Sequence, residues 1–165
     1  MPPPRIERAR DKLLGQRDVV ARVAAARRAG ESIVFTNGCF DLLHVGHIRS
    51  LEEAASLGDR LIVAVNGDAS VTRQKGRFRP ALPARMRSEL VAALACVDWV
   101  TRFDSDTPLA LIRRIEPDVL AKGGDWALDE IVGREVVETS GGRIVRLRNV
   151  PGPRSSDWLE RIRRR

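Results

Sequence analysis

Ser32-Ile33-Val34-Phe35-Thr36-Asn37-Gly38-Cys39-Phe40-Asp41-Leu42-Leu43-His44-Val45-Gly46-His47 is the stretch on which the fold turns. Its first five residues form a short apolar, β-branched run, which predicts a buried strand, and Asn37-Gly38 predicts a turn behind it. From Val45 to Leu57 the apolar residues recur at helical intervals, and Gly58-Asp59 closes that element. The next run, Arg60–Asn66, reads Arg-Leu-Ile-Val-Ala-Val-Asn and predicts a second strand.

Outward from this unit the alternation repeats. Pro83–Leu94 reads as a helix and Val97–Phe103 as a strand; Pro108–Ile115 as a helix and Asp118–Lys122 as a strand ending in Gly123-Gly124. Leu128–Ser140 reads as a helix closed by Gly141-Gly142, Arg143–Leu147 as a fifth strand and Ser155–Arg164 as a last helix. Upstream, Val19–Ala29 has helical spacing and ends at Gly30, while residues 1–16 read as a loosely held arm or a short helix. Strands alternating with helices predict a single doubly wound, Rossmann-like α/β domain, with a five-stranded parallel sheet, helices on both faces and right-handed crossovers. Residues 1–30 are then an N-terminal arm and helix, and residues 31–165 the ligand-handling domain.

The composition narrows the classes of function. The chain has 165 residues, 43% apolar and 31% charged, which is globular rather than disordered. Its longest apolar runs, such as Leu61–Val65, are too short to cross a bilayer, and Met1-Pro2-Pro3-Pro4-Arg5 lacks the apolar stretch of a signal peptide. Two cysteines, Cys39 and Cys96, fit a reducing compartment, so a cytoplasmic location is expected. The net charge is +7, yet only Lys12, Lys75 and Lys122 among the 29 cations are lysines. No stretch interleaves basic residues with stacking aromatics. Phosphorylated small molecules are therefore the expected partners, rather than specific nucleic acid or a membrane.

In parallel sheets ligands bind beyond the carboxyl ends of the strands, near a switch point in strand order. That rule selects Asn37–His44, Asn66–Pro80, Lys122–Trp126 and Asn149–Ser156. In the first of these, Gly38 lets a ligand approach the backbone, and the start of the following helix offers free N–H groups and a positive dipole to an anion. His44 and His47, the only histidines, lie three apart and so on one helical face, with Gly46 leaving room between them. Their spacing is one residue short of His-x-x-x-His and no third ligand is near, so no structural metal is expected.

Thr36–His47 resembles the signature of the cytidylyltransferase-like nucleotidyltransferases, whose hallmark is His-x-Gly-His after the first strand. Its Thr-Asn-Gly-Cys-Phe-Asp wording is most similar to the adenylyltransferase domain of bacterial ADP-heptose synthesis, which attaches AMP to D-glycero-β-D-manno-heptose 1-phosphate. The similarity runs from about Ser32 to Ile162 and includes Leu57–Asn66, Val97-Asp98-Trp99-Val100 and Lys122-Gly123-Gly124-Asp125-Trp126. The sugar-kinase domain that accompanies it in bifunctional relatives is not in these 165 residues, so the resemblance implies the stand-alone form.

The resemblance also implies roles. His44 and His47, with Lys75, would be catalytic, holding the ATP phosphates and stabilising charge on the α-phosphoryl group, while Mg²⁺ bridges the triphosphate. Thr36, Asn37, Gly38, Cys39, Phe40, Asp41 and Gly46 would face the nucleotide; for Asp41 the alternative is a local turn or cap. Cys39 is read as structural, since no step needs a thiol nucleophile. The cations of Arg73-Gln74-Lys75-Gly76-Arg77-Phe78-Arg79-Pro80 suit an anion, and the family places this loop over substrate and triphosphate. Arg77, Arg79 and Arg87 are assigned to the substrate, with Met86 standing where relatives often carry an acid beside Arg87. Lys122, Gly123 and Asp125 would border base and ribose, favouring ATP over CTP. Arg154, Ser155 and Ser156 would grip phosphates at the last helix, where Asp157 departs from the family's threonine. A carboxylate aimed at triphosphate would repel it, so Asp157 is expected to turn outward or cap the helix. Relatives suggest a homodimer. The alternatives are a cytidylyltransferase for glycerol 3-phosphate or another polyol phosphate, and a non-catalytic nucleotide-binding protein.

Overall fold

The structure, a computed structural model, describes residues 7–124, 127, 130–152 and 154–164. After a 3₁₀ turn at Ala9–Lys12 come α1 (Gln16–Arg28), β1 (Ile33–Gly38), α2 (Val45–Ala55), β2 (Arg60–Asn66), α3 (Asp68–Lys75) and α4 (Ala84–Ala92). Then follow β3 (Trp99–Phe103), α5 (Leu109–Ile115), β4 (Val119–Lys122), α6 (Arg134–Thr139), β5 (Arg143–Arg146) and α7 (Ser155–Arg163). The five strands form one parallel sheet in the order β3-β2-β1-β4-β5.

Successive residues of each strand face opposite ways, and both faces are covered, which is why the strands read as continuous apolar runs. Ile33, Phe35, Ile62, Ala64 and Leu120 pack with Val19 and Val23 of α1, Ile112 of α5 and Val137 of α6. Val34, Leu61, Val63, Val65 and Ala121 pack with Leu51 and Ala54 of α2 and Val91 of α4. The chain adds β2 and β3 on one side of β1, then crosses to add β4 and β5 on the other. The switch point therefore lies between the carboxyl ends of β1 and β4, beside Asn37, Gly38, Lys122 and Gly123.

Three local expectations are corrected. Asn37 and Gly38 are not a turn but the end of β1, paired with Ala64 and Val65. The basic loop begins as a helix, α3, bracketed by Gly67 and by Gly76 at φ 93°. Of the predicted helix from Leu128, residues 128 and 129 lie outside the described residues; the α-helical part starts only at Arg134. Gly133 adopts φ 90°, and a Cβ there would meet Ile112 Cδ1 at 2.6 Å, so this glycine both breaks the helix and lets the segment close on α5.

Residues 12–14 of the N-terminal arm are held firmly. Lys12 is buried and donates to the carbonyls of Leu94 (3.1 Å) and Val97 (2.7 Å). Leu13 bridges Val100 on the open edge of β3, and Leu14 N–H donates to the Val100 carbonyl at 2.8 Å.

Candidate active site

The site starts from the way α2 begins. His44 is its N-cap, with Nδ1 accepting the Gly46 N–H at 3.1 Å, and His47 Nδ1 accepts the His44 N–H at 3.4 Å. Both rings thus substitute for the usual capping oxygen and satisfy N–H groups that a helix start leaves open. A Cβ on Gly46 would lie 2.9 Å from His44 Cε1, so the cap requires glycine there. A neutral imidazole whose Nδ1 accepts carries its proton on Nε2. Burial holds the His44 pKa below its ordinary value; burial, then His44, then Lys75 push His47 down to about 4. At neutral pH the pair is two uncharged Nε2–H donors with ring centroids 3.9 Å apart. Phe40, at φ 47°, supports them, its ring centroid 5.3 Å from that of His47.

These histidines line a cavity of about 800 Å³ with Gly46, Lys75, Gly123, Arg154, Ser155 and Ser156. A second cavity of about 480 Å³ lies against Asn37, Gly38, Cys39 and Lys122, and Lys75 is the one described residue bordering both. Twelve of the expected site residues thus fall along one cavity or the other, whereas Thr36 is buried within β1 and lines neither. Asn37, Gly38, Cys39 and Lys122, expected at the nucleotide, line the second cavity and not that of the histidines. Asp125 lies outside the described residues. Asn66, Gln74, Asp106 and Glu130 also line the second cavity; only Asn66 and Gln74 fell in a loop that the strand-end rule had selected.

Three assigned residues have structural duties. The Asp41 side chain is fully enclosed, ion-paired with Arg79, and accepts the N–H groups of Ala81 (2.6 Å) and Leu82 (3.4 Å). Its role is the local clamp rather than a nucleotide contact. Arg79 is held by that pair and by Ser156, to whose hydroxyl Nη1 donates at 3.2 Å, while its buried Nη2 has no hydrogen-bond partner among the described residues. Arg87 is completely buried, donating to the carbonyls of Leu82 (2.8 Å), Cys39 and Asn66 (2.8 Å) and to Asp68 Oδ1 (2.8 Å). Four of its five N–H groups are engaged and the side chain has no exposed surface to offer a substrate, and the carboxylate partner comes from α3 rather than from position 86. Arg77 stays outside both cavities, stacked 4.5 Å over the Phe78 ring in a smaller cleft against α7.

At α7, Ser155 donates to the Leu42 carbonyl at 2.9 Å, tying this helix start to the loop before α2. Asp157 turns back to accept the Arg154 N–H at 2.6 Å, which makes it a cap. Burial pushes the Cys39 thiol pKa up, so it stays protonated and a poor nucleophile.

A parallel sheet with a helix start at its switch point, capped by paired imidazole donors, is the arrangement expected of a nucleotidyltransferase. The chain belongs to the cytidylyltransferase-like family, whose model matches residues 35–152. It is similar to the bifunctional protein HldE of Geobacter sulfurreducens, 51% identical over 88% of this chain and 30% of that protein. The HldE of Azotobacter vinelandii is 48% identical over 92% of this chain and 32% of its own length. The chain thus spans about a third of these relatives. Among solved structures, the lipopolysaccharide core biosynthesis protein of Thermoplasma volcanium matches with a TM-score of 0.64 and 31% identity, over 74% of this chain and all of that one.

Proposed function

We propose that this nucleotidyltransferase moves AMP from ATP to D-glycero-β-D-manno-heptose 1-phosphate, releasing pyrophosphate and ADP-heptose. The observation that carries the reading is the pair of cavities joined at Lys75, one lined by neutral and cationic donors, the other by amides and charged groups. The triphosphate lies in the first, against the His44 and His47 Nε2–H groups and the start of α7. The sugar phosphate lies in the second with its phosphate toward Lys75. An acceptor phosphate oxygen attacks the α-phosphorus, the bond to the bridging oxygen breaks, and pyrophosphate leaves with that oxygen. Phosphoryl transfer of this kind rests on positioning and charge stabilisation, so no protein nucleophile is needed.

Donors that need no proton to act suit a site where charge builds on the phosphoryl oxygens. Mg²⁺ is proposed to arrive on the triphosphate. Among the described residues no three His, Cys, Asp or Glu side chains converge to hold a metal, and the first cavity's N–H and O–H groups suit phosphate oxygens rather than a cation. When bound, the ion supplies neutralisation of the triphosphate charge. The similarity to HldE proteins supports the heptose acceptor.

The test is pyrophosphate release, with ATP and CTP each crossed against heptose 1-phosphate, glycerol 3-phosphate and other sugar 1-phosphates. Release with ATP plus heptose 1-phosphate alone is expected. Release with CTP and a polyol phosphate would keep the class and overturn the substrate.

A further inference from the structure

We propose that Lys122 and Asn37 form the donor side of the second cavity, and that Lys122 determines specificity for the acceptor rather than touching the nucleotide. This rests on the two-cavity reading above. Lys122 ends β4 and Asn37 nearly ends β1, the two strands that flank the switch point. The Lys122 ammonium donates to Asn37 Oδ1 and, among the described residues, has no carboxylate within 4 Å. A buried cation with a single amide partner has two further N–H groups to place, and leaving them unsatisfied is costly. Both residues line the second cavity, and neither lines the cavity of the histidines.

The ammonium also fixes which way the Asn37 amide points. With Oδ1 engaged, the Nδ2 donors are left to an occupant of the cavity. Other residues of the lining are set the other way round. Asn66 Nδ2 donates to Ser70 at 3.1 Å, and Gln74 Nε2 donates to Ser70 at 3.3 Å and to the Asp106 carbonyl at 3.0 Å. Their amide oxygens remain as acceptors, alongside the Glu130 carboxylate. A lining that holds both donors and acceptors matches a ligand whose hydroxyl groups both give and take hydrogen bonds. An apolar acceptor would strand these groups, and a site built to bond hydroxyls rejects analogues that lack them.

Lys122→Met keeps the length of the stem and removes the donors; Asn37→Ala removes the amide. Steady-state kinetics in both, with ATP and acceptor varied separately, and ATP affinity by calorimetry, read the effect. The expected result is an acceptor KM raised about tenfold or more, with ATP affinity within about twofold and, for Lys122→Met, an unchanged melting temperature. Weakened ATP binding with an unchanged acceptor KM would overturn the proposal, as would both constants unchanged. A parallel fall in melting temperature and kcat without a KM change would make Lys122 merely structural, and so also overturn it. Wild-type turnover of glycerol 3-phosphate but not heptose 1-phosphate removes the heptose reading alone, and the variants are then judged on that acceptor. Wild-type protein that binds ATP and uses no phosphorylated sugar or polyol sinks both.

Discussion

His44 and His47 do two jobs with two nitrogens each. Nδ1 accepts a backbone N–H at the start of α2, which fixes the ring, and Nε2–H is thereby left for a ligand. Replacing either with alanine removes one preorganised donor. Turnover is expected to fall about 10²–10³-fold with the fold intact; near-wild-type rates in either variant would sink the mechanism. The depressed pKa values set a pH window as well. The folded pKa of His47, about 4, lies below its ordinary 6.5, so folding favours the neutral ring. That contribution is fully present above pH 6.5 and is lost as pH falls from there through about 4. Melting curves from pH 8 to 4 should therefore decline more steeply for wild type than for His47→Gln, and identical slopes would contradict the assignment. The sequence made this pair legible, because two histidines on one helix face at a strand end leave few other readings. It did not show that the rings are also caps, since that depends on the backbone geometry of residue 44.

At the scale of elements, the site depends on how loops are tied together, and here sequence reading was weakest. Arg77, Arg79 and Arg87 look alike as cations near a basic loop, but burial separates them. Arg87 reaches from α4 to the ends of β1 and β2 and the start of α3, while Arg79 joins the loop before α4 to Asp41 and to α7. Charge alone cannot tell a ligand contact from a strut that satisfies carbonyls. The signals for α3 were present but faint: Asp68 in its first turn, Arg73 and Lys75 in its last, and glycine on either side. Its one large apolar buried residue, Val71, gives no periodicity to detect. Arg87→Met is expected to destabilise the fold by about 3 kcal/mol or more, because several buried carbonyls lose their donor at once. Urea denaturation measures this. An unchanged midpoint with a raised acceptor KM would restore the substrate role. Asp41→Ala should cost about 3–5 kcal/mol, as it leaves the Arg79 charge enclosed without its partner.

For the whole molecule, apolar runs and punctuating glycines made five alternating strands legible, whereas the strand order, and with it the switch point, came from the structure. What the sequence concealed was the fate of the sheet's outer edge. An unpaired edge strand is a template for association, and β3 would be one if the N-terminal segment were a loose arm. Instead the segment lies along it. Leu13 packs with the core on one face of the sheet and Leu14 with the core on the other, so consecutive residues straddle the edge as a sixth strand would. Lys12 secures the near end, and Gln16 Nε2 donates to the Arg102 carbonyl at 3.0 Å at the far end. Proline and charge dominate residues 1–12, which masks this pairing in the sequence; only Leu13-Leu14 hint at it. Removing residues 1–15 is expected to cost on the order of 3–5 kcal/mol, from two partly buried leucines and several hydrogen bonds. It should also expose β3 and promote association. Denaturation and light scattering on the truncated chain check both effects together. A truncated protein that keeps its denaturation midpoint and stays as dispersed as the full chain would mean that the strap is dispensable, and that the edge is protected by its own short length and by the solvent-facing Arg102.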